Sequence, residues 1–216
     1  MPGPPRLEAA LFDFGGVFTA SPFAAAESVG AELGAAPGRL LELVFGPYGE
    51  DTDHPWHRLE RGEIPFGDAR DAIIALGRSA GLDADPVRVF QKLSGDAGIR
   101  PAFVDRARRL RGAGVRTALV TNNAREFRDR WRPLLPLDEL FELVVDSSEV
   151  GVRKPDPAIL RMALDGLGGV EPARAVFLDD FEANVVAARA LGLRGVLVGP
   201  DPAPALAELD ALIAGL

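Results

Sequence analysis

Two hydrophobic rhythms alternate along the chain. Short apolar-rich runs recur at 9–12, 115–120, 141–145, 175–178 and 195–198. Each has the length and continuity of a strand buried on both faces, not the strict alternation of a half-exposed one. Between them apolar residues return every three or four positions, the spacing of a helix with one buried stripe. Phe103, Val104, Ala107 and Leu110 make one stripe, Phe127, Trp131 and Leu134 a second, and Ile159, Leu160 and Ala163 a third; 182–191 and 203–213 add two more. Local punctuation agrees. Pro101 opens its helix where a missing N–H costs nothing, and Gly112 and Gly114 stop it. Asp156 and Pro157 read as an N-cap and first-turn pair. This alternation predicts an α/β fold: a Rossmann-like parallel sheet flanked by helices, with right-handed crossovers.

The stretch 20–96 departs from that rhythm. Helical spacing runs through Phe23, Ala26 and Leu33, then Leu40, Leu41, Val44 and Phe45, then Ala69, Ile73, Leu76 and Ala80, then Val87, Phe90 and Leu93, with no buried strand among them. We expect a helical insertion over 20–96, directly after a first strand at 8–14, within a core made of 1–19 and 97–216. The middle of the insertion, 46–66, is rich in Gly, Pro, Asp and aromatic residues and reads as a long loop.

In a parallel sheet every strand C-terminus lies along one edge, and that edge is where ligands bind. Asp13, Thr121, Asn122, Asp179 and Asp180 each close or follow a strand, so the fold should gather them from distant parts of the chain. Clustered carboxylates repel one another unless a cation sits between them. With oxygen ligands only, the natural occupant is Mg²⁺, which keeps waters and takes one or two carboxylates besides phosphate oxygens. Thr121 and Asn122 offer a hydroxyl and an amide to phosphate oxygens, beside the N–H groups of a helix start. Lys154, one of only two lysines in an arginine-rich chain, adds a compact positive charge. Singly, each feature has a plainer explanation: a turn, an N-cap, a helix-start charge pair or a solvated loop cation. Together they suit phosphoryl transfer, in which positioning and charge stabilisation dominate.

Composition narrows the picture. The formal net charge of −8 excludes a broad nucleic-acid or anionic-membrane surface. No apolar run reaches the ~18 residues of a membrane span. The start, MPGPPR, has no apolar signal core and reads as a loose end, so we expect a cytoplasmic protein, monomeric or homodimeric. There is no cysteine, which removes thiolate and disulfide chemistry, and His54 and His57 are the only histidines.

DFGGV at 13–17, TN at 121–122, GVRKPDP at 151–157 and FLDDFEAN at 177–184 together resemble the haloacid dehalogenase superfamily of phosphohydrolases. In texture the chain is similar to the subfamily of the soluble epoxide hydrolase N-terminal phosphatase domain and bacterial sugar-1-phosphate phosphatases. The resemblance implies a core of that type with a C1-type cap over 20–96, and Mg²⁺-dependent hydrolysis of small phosphorylated metabolites. It implies Asp13 as the nucleophile that forms an aspartyl-phosphate, and Thr121, Asn122 and Lys154 around the phosphoryl group. It also implies Asp13, the Gly15 carbonyl and Asp180 as metal ligands, supported by Asp179 and, more weakly, by Asn184. One position departs from the pattern. Gly15 stands where family phosphatases usually carry a second Asp as general acid and base, help typically worth about 10²–10⁴-fold. Three explanations stay open: a substrate with a good leaving group, a proton donor from the insertion (His54, His57, Asp51 or Asp53), or a protein that binds phosphate esters without turning them over. The superfamily's dehalogenases also lack that Asp but need no metal, so the Asp179–Asp180 pair weighs against dehalogenation. Trp56, His57, Arg58 and Phe66 are expected at the substrate pocket.

Overall fold

The computed structural model describes residues 6–96 and 98–214. The loose start expected over the first residues lies largely outside that range, as does residue 97, the expected edge of the insertion. Five strands form one sheet: β1 (Ala9–Phe12), β2 (Arg116–Thr121), β3 (Leu143–Asp146), β4 (Ala175–Asp179) and β5 (Arg194–Leu197). Their order is β3-β2-β1-β4-β5, and every pairing is parallel. β1 is central and wholly buried, as its run of apolar residues requires. The chain lays β2 and β3 on one side of β1, then crosses to place β4 and β5 on the other. The crevice between β1 and β4 is therefore the topological switch point, where an open α/β sheet admits ligands.

The insertion carries α1 (Pro22–Glu32), α2 (Arg39–Phe45), α3 (Pro55–Glu60), α4 (Phe66–Ser79) and α5 (Pro86–Asp96). After it come α6 (Pro101–Gly112), the short α7 (Arg128–Trp131), α8 (Leu137–Leu140) and α9 (Ser147–Val150), then α10 (Pro157–Gly166), α11 (Glu182–Leu191) and α12 (Ala203–Ile213). One face of the sheet, through Ala10, Phe12, Leu119 and Leu178, packs on Phe103 and Leu110 of α6 and Leu209 of α12. The other, through Leu11, Ala118, Val120 and Phe177, packs on Ile159 and Leu160 of α10 and Ala188 of α11. The insertion has an apolar cluster of its own around Val44, Phe45, Leu59 and Ile73.

Several sequence expectations shift. The loop expected over 46–66 contains α3, which starts at Pro55 with the His54 imidazole accepting from the Trp56 N–H at 3.2 Å. Histidine is an unusual N-cap, so the start signal is faint. The single helix expected around Phe127, Trp131 and Leu134 is instead α7 between two 3₁₀ turns, the second containing Pro133, which cannot continue an α-helical ladder. β1 is shorter than 8–14, and Asp179 is the last residue of β4, leaving Asp180 alone beyond it.

A buried charge pair ties the insertion to the core. Arg153 is fully buried, and its Nε donates to Glu60 of α3 at 2.7 Å. Arg153 also donates to the Glu50 carbonyl at 2.9 Å and lies over the Tyr48 ring at 4.5 Å. Tyr48 and Trp56 each donate to the Glu60 carboxylate at 2.8 Å. Removing one partner strands the other charge away from water. We expect Arg153→Met to lower the unfolding free energy by about 3–5 kcal/mol in urea denaturation. Adding Glu60→Gln should recover part of that loss, because the amide oxygen still accepts from Tyr48 and Trp56 without carrying a charge.

Candidate active site

β1 delivers Asp13 to the switch point. The Asp13 N–H donates to the Leu178 carbonyl at 2.9 Å, a last rung between β1 and β4, and the carboxylate emerges just beyond it. The chain then turns sharply. Gly16 has φ +73°, and a Cβ there would lie 2.0 Å from Asp180 Oδ2, so both the conformation and the space demand glycine. Arg100 fixes this turn by donating to the Gly16 carbonyl at 2.6 Å.

Lys154 arrives from the segment between α9 and α10. Asn122, just past β2, clamps its backbone: the Asn122 amide donates to the Lys154 carbonyl at 3.0 Å and accepts from the Lys154 N–H at 2.8 Å. The Lys154 ammonium, 2% exposed, sits 2.6 Å from Asp13 and 2.7 Å from Asp179. Asp179 is otherwise held by the Phe181 N–H at 2.8 Å and the Asn184 amide at 3.1 Å. Asp180 is half-buried beside them, and its buried Oδ2 has no protein hydrogen-bond partner. Oxygens of Asp13, Asp179 and Asp180 lie within 4.8 Å of one another.

One ammonium among three carboxylates leaves the cluster short of positive charge. Burial pushes the Asp13 carboxyl up to about 7; Lys154 opposes that shift and Asp179 adds to it. Burial, then the neighbouring Asp179 and Asp13, pushes Asp180 well above the carboxylate range. Lys154 stays charged, because the attraction of Asp13 and Asp179 outweighs its desolvation. Since Lys154, Phe181 and Asn184 occupy Asp179, the oxygens of Asp13 and Asp180 remain to meet a cation.

These groups open into a cavity of about 710 Å³ roofed by the insertion. Asp13, Gly15, Thr121, Asn122 and Asp180 line it, as expected, and so do Trp56 and Phe66. Other expectations fail. His57 and Arg58 are not among its walls. His57 is fully buried, its Nδ1 facing the Thr52 N–H at 3.1 Å and the Thr52 hydroxyl at 2.9 Å. Burial, then the charge of Arg153, lowers its pKa to about 3, so the ring is neutral near neutrality and offers no imidazolium as general acid. His54, Asp51 and Asp53 do not line the cavity either; His54 caps α3 and Asp51 pairs with Arg61. Asn122 presents no free side-chain amide, because Lys154 and the Tyr48 hydroxyl, 3.2 Å away, engage it. Asn184 turns its amide to Asp179, which orients that acid. Sequence reading missed Tyr48 and Glu60, which line the cavity. The only signals were a lone tyrosine in the expected loop and a carboxylate beside the aromatic Trp56.

With this geometry in hand, comparison with known proteins gives the following. The model of a family described as haloacid dehalogenase-like hydrolase matches residues 7–192. Bifunctional epoxide hydrolase 2 of Rattus norvegicus is 30% identical over 94% of this chain and 38% of its own length. The chain spans about two fifths or less of the first curated relatives it matches. Sesquiterpene phosphatase astK of Aspergillus oryzae is 27% identical over 88% of this chain and 89% of its own. Among solved structures, a HAD family enzyme of Bacteroides thetaiotaomicron in complex with magnesium and inorganic phosphate superposes with a TM-score of 0.60 at 20% identity. That match covers 90% of this chain and 96% of the other, and it speaks to the fold.

The position of His57 carries a pH signature. An unfolded histidine titrates near 6.5, whereas His57 in the fold titrates near 3. Between those values the unfolded chain binds a proton that the folded chain refuses. Stability is therefore retained above the unfolded pKa and lost as pH falls below it, by up to about 1.4 kcal/mol per pH unit. His57→Gln should flatten this acid limb in thermal melts between pH 6.5 and 4.5, although His54, also lowered, keeps a residual slope.

Proposed function

The chain belongs to the haloacid dehalogenase-like hydrolase family, and from that membership we propose that it is a phosphatase of small phosphorylated molecules with Asp13 as nucleophile. The observation that carries the reading is Lys154 bonded at once to Asp13 and Asp179, beside an Asp180 oxygen that lacks a partner. The named phosphatase among the relatives and the magnesium and phosphate in a structural neighbour support it. The donor set fits magnesium: oxygens only, with Asp13, Asp180 and the Gly15 carbonyl as the protein ligands. When bound, the ion supplies positive charge against the phosphoryl oxygens and removes the penalty on ionising Asp13 and Asp180.

The chain's own residues then act as follows. Lys154 holds Asp13 ionised and aimed across the crevice. An Asp13 oxygen attacks phosphorus; the bond to the leaving oxygen breaks and its electron pair departs with the leaving group. Thr121, whose hydroxyl makes only a long 3.4 Å contact to the Asn122 carbonyl, and the backbone at Asn122 meet the phosphoryl oxygens. Water then attacks the same phosphorus, the bond to Asp13 breaks, and inorganic phosphate and the free carboxylate result. Asn122 positions Lys154 through its backbone clamp. Residues 20–96 serve as a cap that supplies the walls for the leaving group.

Gly15 favours one other reading, a binding protein with a residual site. We expect Mg²⁺-dependent hydrolysis of p-nitrophenyl phosphate that EDTA abolishes and that Asp13→Asn lowers by at least about 10³-fold. A Cβ at Gly15 would meet nothing closer than Pro22 at 3.4 Å, so the position admits a side chain. Gly15→Asp should raise turnover of alkyl phosphates by about 10²-fold or more. Tight phosphate-ester binding with no turnover in either protein would instead support the binding reading.

A further inference from the structure

The walls of the cavity say what kind of leaving group it holds. Nine of the chain's fifteen aromatic residues line it. Their rings form a continuous belt: Phe66 meets Phe127 at 5.0 Å, Phe127 meets Phe90 at 5.2 Å, and Phe90 stacks on Trp56 at 5.7 Å. Trp56 then meets Phe45 at 5.0 Å, and on the core side Phe14 meets Trp131 at 5.2 Å. Rings packed against one another in edge, tilted and stacked contacts make an apolar enclosure that needs little reorganisation to receive a ligand.

Most polar side chains along these walls are engaged within the protein, apart from the Thr121 hydroxyl already assigned to the phosphoryl group and the Asn123 NH2 group. Tyr48, Trp56 and Arg153 occupy the Glu60 carboxylate. Lys154 and Tyr48 occupy the Asn122 amide, and the Ala124 N–H occupies the Asn123 side-chain oxygen. Gln91 and Arg130 are exposed and mark the solvent side of the cavity. A polyhydroxylated leaving group, such as a sugar, would bury its hydroxyls against rings, at an unfavourable desolvation cost.

Among the described residues the same walls hold no further free acid. Besides Asp13 and Asp180, the one carboxyl among them that lines the cavity is Glu60, paired with Arg153, and neither histidine lines it. With glycine at position 15, the leaving oxygen must depart without a proton from a side chain. Only a weakly basic leaving group does that readily.

We infer that this chain's substrate is a phosphate ester whose leaving group is both apolar and weakly basic, the chemistry of an aryl phosphate. The inference rests on the phosphatase reading above, deepens it by naming a substrate class, and departs from the sugar phosphates that the sequence resemblance suggests.

The test is steady-state kinetics of the full chain with Mg²⁺ on two substrate series. Para-alkylphenyl phosphates from methyl to butyl hold the leaving-group pKa nearly constant while the apolar surface grows; kcat/KM should rise by about fourfold per methylene until the cavity is filled. Phenyl phosphates with para substituents from nitro to methoxy vary that pKa; kcat/KM should fall steeply as it rises, and Gly15→Asp should flatten the dependence. Glucose 1-phosphate should trail 2-naphthyl phosphate by about 100-fold or more. A flat alkyl series, a flat wild-type pKa dependence, or glucose 1-phosphate equal to the naphthyl ester would overturn the inference while leaving the phosphatase reading intact. Absence of any Asp13-dependent turnover across both series would overturn both.

Discussion

A single buried ammonium holds the candidate site together. Lys154 lies within 2.7 Å of both Asp13 and Asp179, where β1 and β4 end side by side. Without it, three carboxylates would crowd a space from which water is largely excluded, with no positive charge among them. With it, one acid is paired, one is shared, and one keeps an unmet oxygen. The rest of the local structure serves that placement. Asn122 grips the Lys154 backbone from β2, Asn184 steadies Asp179 from α11, and Gly16 leaves room for Asp180. Five separate segments thus contribute to a region small enough for one cation and one tetrahedral anion.

The insertion answers a different need. The sheet edge can present charge, yet it offers little surface to grip the rest of a ligand. The helices between Pro22 and Asp96 enclose that edge with rings, and the core completes the enclosure with Phe14, Phe127 and Trp131. Reactivity and selectivity are therefore built from different physics, electrostatics below and apolar enclosure above. They meet at Asn122, which touches Lys154 on one side and Tyr48 on the other.

Much of the fold was legible in the sequence because buried parallel strands are short apolar runs, and their ends are marked by glycines, prolines and acids. The bounds of α11 and α12 were readable to the residue, since Glu182, Leu191, Ala203 and Ile213 mark clear changes of pattern. The capping role of Asp156 was equally plain. The α3 helix was hidden because its cap is a histidine and its surroundings carry loop-like residues. The convergence of Asp13, Thr121, Asn122, Asp179 and Asp180 could be anticipated from strand topology alone, whereas Lys154, between two helices, was placed there by the resemblance. The neutral, buried state of His57 could not, because it rests on tertiary packing and on a neighbouring charge at Arg153, far along the chain. Glu60 and Tyr48 escaped for the same reason: their importance lies in tertiary pairing, and a sequence records no distance between residues that are far apart in it.

The Arg153–Glu60 pair has a consequence for traffic through the cavity. A roof attached by apolar packing alone could swing away and settle back at modest cost. This roof is fastened by a guanidinium and a carboxylate that are both dry, and lifting it as one body would part Arg153 from Glu60 and Asn122 from Tyr48, leaving two buried charges unpaired. The path of least resistance for an incoming molecule is sideways, past the exposed Gln91, Arg130 and Leu134, where side chains can swing aside without disturbing the fastening.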